Sequence, residues 1–95
     1  MNQVVLSGSI VEASALRYTP AGLPALDLRL EHESQLIEAG QQRTVKATVK
    51  AVALGSVAEA LHRQAIGSPW TFTGFLATPR NGKHPVLHIQ SFQST

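Results

Sequence analysis

The stretch ALDLRLEHE, residues 25–33, constrains this chain most. Leu26, Leu28 and Leu30 alternate with Asp27, Arg29 and Glu31. An apolar repeat of two places one row of side chains on a core and the other in water, so this segment predicts a half-buried β-strand. The same alternation returns in TVKATVKAV, where Val45, Ala47 and Val49 oppose Lys46, Thr48 and Lys50. It returns again in WTFTGFLAT, where Trp70, Phe72 and Gly74 share a parity. The first segment, NQVVLSGSIV, is also β-rich, and Gly8 within it predicts a bend or a close backbone approach. HPVLHIQSF supplies a last strand.

Between these strands, TPAGLP is a turn punctuated by two prolines and a glycine. ESQLIEAGQQ, being polar, predicts an excursion between strands with a helical turn at QLIEA ended by Gly40. GSVAEALHRQAIG is the one convincing helix segment. Ser56 and Glu59 have capping-box spacing, Val57, Ala60, Leu61 and Ile66 supply an apolar side, and Gly67 and Pro69 stop it. Asn81-Gly82 predicts a tight β-hairpin turn, because both central positions tolerate positive φ. Three strands, a short helix and two hairpin-linked strands form the order of an OB fold, an all-β, five-stranded Greek-key barrel with the helix between strands 3 and 4. Other small α+β folds share that order. The expected core is Leu26, Leu28, Leu30, Val45, Val49 and Phe72, in one domain spanning residues 1–95.

Ninety-five residues suffice for one modest core. Cysteine is absent, which removes disulfides, thiolate nucleophiles and cysteine metal sites. No apolar run approaches a membrane span and the start lacks a basic signal flank, so a cytoplasmic protein with no membrane partner is expected. No glycine-rich phosphate loop is present. His84 and His88 are strand-spaced, about 13 Å apart along the backbone, which is too far for one metal centre. Glu31 and Glu33 end an amphipathic strand without a converging pocket. No enzyme activity, metal or cofactor is expected.

The net charge of +2 is small but unevenly spread. Residues 1–40 carry 2 Lys or Arg against 5 Asp or Glu, and residues 41–95 carry 6 against 1. Gathered on one face, the basic half suits a polyanion. Lys46 and Lys50 share the polar side of one strand, and Arg80 and Lys83 flank Asn81-Gly82. Together they could form the backbone-tracking groove of a single-strand binder, and a solvated face with no partner is the alternative. Trp70 shares parity with Phe72 and reads as a core or rim residue. Tyr18 is the freer stacking candidate.

The phrases LSG, TPAGLP, LEHES, TGFLA and VLHIQ, in this order along nearly the whole chain, resemble the family of primosomal replication protein N, called PriB, whose wider relatives are the bacterial single-stranded DNA-binding proteins. That resemblance implies an OB-fold homodimer, paired through the first strand near Val5, that binds single-stranded DNA without catalysis. The implied partners are a PriA-like helicase, other primosome components and the single-stranded DNA-binding protein, with the restart site passed on toward helicase loading. Matched position by position, Arg17 stands at the basic site before the first loop, and Arg80 and Lys83 at the basic sites of the last hairpin. Lys46 stands where relatives carry an aromatic, as does Gln41, while Glu33 replaces a basic residue. These departures move the expected binding from stacking toward charge. The nucleic-acid contacts expected are therefore Arg17, Tyr18, Lys46, Lys50, Arg80 and Lys83. The alternative is an OB-fold interaction module whose contacts to the helicase or the single-stranded DNA-binding protein dominate.

Overall fold

A computed structural model describes all residues 1–95. The elements are β1 (Val4–Ala13), β2 (Arg17–Tyr18), β3 (Pro24–Glu38), β4 (Gln41–Leu54), α1 (Ser56–His62), β5 (Pro69–Ala77) and β6 (Val86–Gln93). The sheet order is β1-β5-β6-β4-β3-β2, and a further β1–β3 pairing closes the five long strands into a barrel. All pairings are antiparallel except β4–β6. A parallel pair needs a crossover, and α1 with β5 provides it. The result is the OB barrel expected from the strand order, with β2 added as a two-residue edge piece.

Closure depends on β1 serving two neighbours. Its first half pairs with β5 from Val4↔Gly74 to Ser9↔Pro69, and its second half pairs with β3 from Ser9↔Glu31 to Ala13↔Leu28. The register slips between Ile10 and Glu12, which is the bulge that re-aims the strand. At the crossing, a Cβ on Gly8 would sit 2.8 Å from the Glu31 carbonyl oxygen. The close approach expected at Gly8 is thus present. A Cβ on Gly74 would sit 1.8 Å from the His88 carbonyl oxygen, beside a second register slip in β5–β6.

The core contains Ile10, Leu26, Leu28, Leu30, Ala51, Ala53, Ala58, Leu61, Phe72, Leu87 and Ile89. Leu26, Leu28, Leu30 and Phe72 are where the alternation puts them. Val49 only packs against the cluster, and Val45 lies outside it. The reason is the end of the β1–β3 pairing at Glu31. Beyond it, β3 and β4 run on as a free two-stranded ribbon in which Val45 faces Ser34 in register.

That ribbon corrects the reading of ESQLIEAGQQ. The segment is strand, paired without interruption from Gln35↔Thr44 to Glu38↔Gln41, and no helical turn forms. Ala39 and Gly40 make the connection with φ of 53° and 77°, the positive values a two-residue type I′ hairpin requires. Local polarity suggested a loop, but cross-strand pairing in a ribbon with water on both faces needs no apolar row.

The Asn81-Gly82 expectation is corrected as well. Neither residue has positive φ. The turn runs from Pro79 to Gly82, whose amide donates to the Pro79 carbonyl at 3.0 Å, inside an eight-residue loop between Ala77 and Val86. Pro79 and Pro85 have no N–H for a ladder, so the strands end before the tip. His84 accordingly lies in the loop and not on a strand face with His88.

In α1 the cap is Gly55, at φ 73° with no side-chain hydrogen bond, and Ser56 is already helical. The Ser56–Glu59 capping box is therefore absent. The helix stops at His62 because Arg63 and Gln64 donate to Ala60 and Leu61, three residues back, which tightens the last turn. Ile66 is left exposed, and Ala58 and Leu61 are the residues that plug the barrel end. No helix is long and apolar enough to cross a membrane.

Candidate nucleic-acid interface

The outer face of β3–β4 is set by register. Asp27 lies opposite Val52, Arg29 opposite Lys50, Glu31 opposite Thr48, and Glu33 opposite Lys46. The inward row of leucines fixes this outward row, because a one-residue slip would exchange the two. Lys46, Thr48 and Lys50 are all exposed, as the alternation predicts.

Three cations are engaged, Arg17 and Arg29 on this face and Arg43 on the opposite face of the ribbon. Arg17 Nε donates to Asp27 Oδ2 at 2.8 Å and Nη2 donates to Oδ1 at 3.1 Å. Hydrogen bonding to Arg17, opposed by partial burial and aided by its charge, holds the Asp27 carboxyl below the usual carboxylate range. Arg29 faces Glu12 at 3.5 Å, and Arg43 pairs with Glu38. Lys46, Lys50, Arg80 and Lys83 take part in none of the three ion pairs.

Grooves connect some of these residues. Lys50 and Lys83 line one groove together with Thr48 and His84, and Lys50 also lines the adjoining groove with Asp27, Arg29 and Glu12. Arg17 lines a third with Asp27, Thr78, Pro79 and His88. The residue common to all three is Val86, at the start of β6. Lys46 stands beyond them on the ribbon, and Arg80 sits in the Pro79–Gly82 turn.

The aromatic positions differ from the expectation in one respect. Tyr18 is 67% exposed, as a stacking residue must be. Trp70 is a half-buried rim residue that meets Phe92 edge-to-face at 5.0 Å and donates through Nε1 to Ser68 Oγ. The sequence reading missed Phe75 and His88, whose rings stack at 4.8 Å and 14° on adjacent strands. Both lie on the outer face, and the β4–β6 register brings His88 beside Val52. The available signal was parity, since Phe75 and His88 oppose the core residues Phe72, Leu87 and Ile89.

A family model described as "another single-strand binding protein family" matches residues 2–91. Replication restart protein PriB of Bordetella pertussis is 47% identical over 91 residues, covering 95% of this chain and 85% of that protein. Its counterpart in Neisseria gonorrhoeae is 44% identical over 94 residues, covering 97% and 92%. The chain belongs to the PriB family. The solved structure of PriB from Ralstonia solanacearum superposes with a TM-score of 0.90 at 35% identity, covering 99% of this chain and 97% of that one. The single-stranded DNA-binding protein of Thermus aquaticus gives 0.78 at 27% identity, covering 98% of this chain and 49% of that one. The PriB barrel is thus the same OB barrel that a dedicated single-strand binder uses.

Proposed function

We propose that this chain is a non-catalytic, single-stranded DNA-binding accessory protein of replication restart, working in the cytoplasm as one OB domain per protomer. One observation carries the reading. Of the five cations free of ion pairs, four (Lys46, Lys50, Arg80 and Lys83) sit on β4 and on the loop between β5 and β6. These are the strand face and the loop with which OB folds hold oligonucleotides. The lysines and Arg80 contact phosphates. Tyr18 and the Phe75–His88 pair offer ring faces to unpaired bases.

The protomers pair through β1. Val5 is 63% exposed on that strand, and residues Val4–Gly8 pair with β5 on one edge and with no strand on the other. Two barrels side by side double the DNA track. The protein hands a restart site from a PriA-like helicase, on DNA coated by single-stranded DNA-binding protein, toward other primosome components and helicase loading.

A second reading, a protein-interaction module with weak DNA affinity, draws on the carboxylates of the same face. Asp27 occupies Arg17, and Glu33 stands opposite Lys46. Titration of a labelled oligo-dT with the intact chain and with Lys46→Ala/Lys50→Ala separates the two. Saturable binding weakened at least about tenfold in the double variant supports the DNA track, on the strength of charge-assisted contacts. Absence of saturable binding at low salt supports the interaction module.

A further inference from the structure

The barrel has a second open edge. β4 residues Gln41–Lys50 pair with β3 on one side, but β6 joins β4 only from Ala51↔Leu87 onward. No turn or loop hydrogen bond uses the backbone of Thr48, Val49 or Lys50 either. An unpaired strand edge is a template for another strand.

Beside that edge lies a groove of about 530 Å³ at the end of the barrel away from α1. Its apolar wall is Val49, Leu76, Pro79, Pro85 and Val86, and its charged rim is Lys50 and Lys83. Leu76 pairs with the fully buried Leu87 and shares the inward parity of Phe72, yet it is 41% exposed. The core row therefore continues into an uncovered mouth. The floor is held in place, because the Asn2 side chain accepts from the Leu76 amide at 3.0 Å and donates to the Leu76 carbonyl at 2.7 Å. No carboxylate lines this groove, in contrast to the adjoining one that holds Glu12 and Asp27.

We propose that the β4 edge and this groove bind an extended acidic segment of a partner protein, added as a strand along Thr48–Lys50 with one apolar side chain seated on Val49 and Leu76. Main-chain bonds to a free edge supply affinity and an adjacent pocket supplies specificity, as in other strand-addition complexes. The lysines select the charge. They repel a second copy of the same edge, where lysine would meet lysine, and attract glutamate and aspartate. Nucleic acid fits the groove less well, because its wall is mainly aliphatic and proline side chains, and His84 is the one ring that lines it. This goes beyond the DNA track, with which it shares Lys50 and Lys83, and it does not require that DNA bind.

The test uses the intact ¹⁵N-labelled chain with two probes, an acetylated hexapeptide of glutamates and aspartates around one leucine, and oligo-dT. The peptide is expected to shift the amides of Thr48, Val49, Lys50 and Leu76 and to slow hydrogen exchange along the edge. Serine in place of its leucine weakens binding at least about tenfold, the loss for one buried leucine. Lys83→Glu, a loop substitution that leaves the core intact, weakens it up to about fivefold, the range of an exposed ion pair. A peptide with glutamines for its acids that binds equally well contradicts the proposal, as does the absence of shifts at these amides. Shifts there with oligo-dT alone reassign the groove to nucleic acid. Peptide binding that persists while oligo-dT fails to bind anywhere overturns the DNA-binding function and leaves this site standing.

Discussion

Arg17 and Asp27 form a two-pronged ion pair across β2 and β3, with contacts of 2.8 and 3.1 Å. The family resemblance casts Arg17 as a phosphate contact, but here a carboxylate already occupies its guanidinium. Asp27→Asn is expected to free Arg17 and to remove a negative charge from the track. DNA affinity then rises about two- to fivefold, the scale of an exposed ion pair. Unchanged or weaker affinity removes Arg17 from the DNA contacts.

The same pair fixes a pH dependence. Asp27 titrates below its unfolded value, so its contribution is complete above the ordinary carboxylate range and is lost as pH falls through the depressed folded value. Both side chains are about half exposed, at 52% and 53%, which limits the effect to under about 1 kcal/mol. Urea unfolding between about pH 6 and pH 2 should show this loss in the natural chain and its absence in Asp27→Asn. Parallel pH profiles would remove the pair as a cause.

Ala39 turns the β3–β4 hairpin at φ 53°, a conformation that costs a residue with a Cβ about 1 kcal/mol. Asparagine visits this region more readily. Ala39→Asn should raise unfolding stability by about 0.5–1 kcal/mol without altering DNA binding. No gain in the urea midpoint contradicts the type I′ assignment.

At Gly74 the His88 carbonyl oxygen occupies the space a Cβ needs, and both partners are backbone. Gly74→Ala should therefore cost at least about 3 kcal/mol, the top of the usual range for a crowded core substitution. A thermal midpoint near that of the natural chain would show that β5 and β6 separate there easily.

Phe75 and His88 predict a loss of a different kind from the lysines. Phe75→Ala should cost about 1–3 kcal/mol of oligonucleotide affinity if one base stacks on the pair, and it should leave the salt dependence unchanged. An altered salt slope with normal affinity would contradict the stacking role.

The legible parts of this molecule were those in which one local pattern settles the outcome. Leu26, Leu28 and Leu30 declared an inner face, and with them Asp27, Arg29 and the lysines of β4 declared an outer one. The ribbon at Gln35–Thr44 was illegible because both its faces meet water, leaving no period-two contrast to read. Asn81-Gly82 misled because flanking prolines, not the dipeptide itself, decide whether the strands reach it. The Phe75–His88 stack and the open β4 edge depend on which strands become neighbours. Residues separated by dozens of positions, as Lys50 and Lys83 are, meet in one groove only after the barrel closes.

The most direct measurement is the slope of log binding constant against log salt for oligo-dT. If Lys46, Lys50, Arg80 and Lys83 each neutralise one phosphate, the slope is about −2.8 per protomer, shrinking by about 0.7 for each one changed to alanine. A slope near zero, or one that the four substitutions leave unchanged, contradicts a DNA track along β4 and the β5–β6 loop.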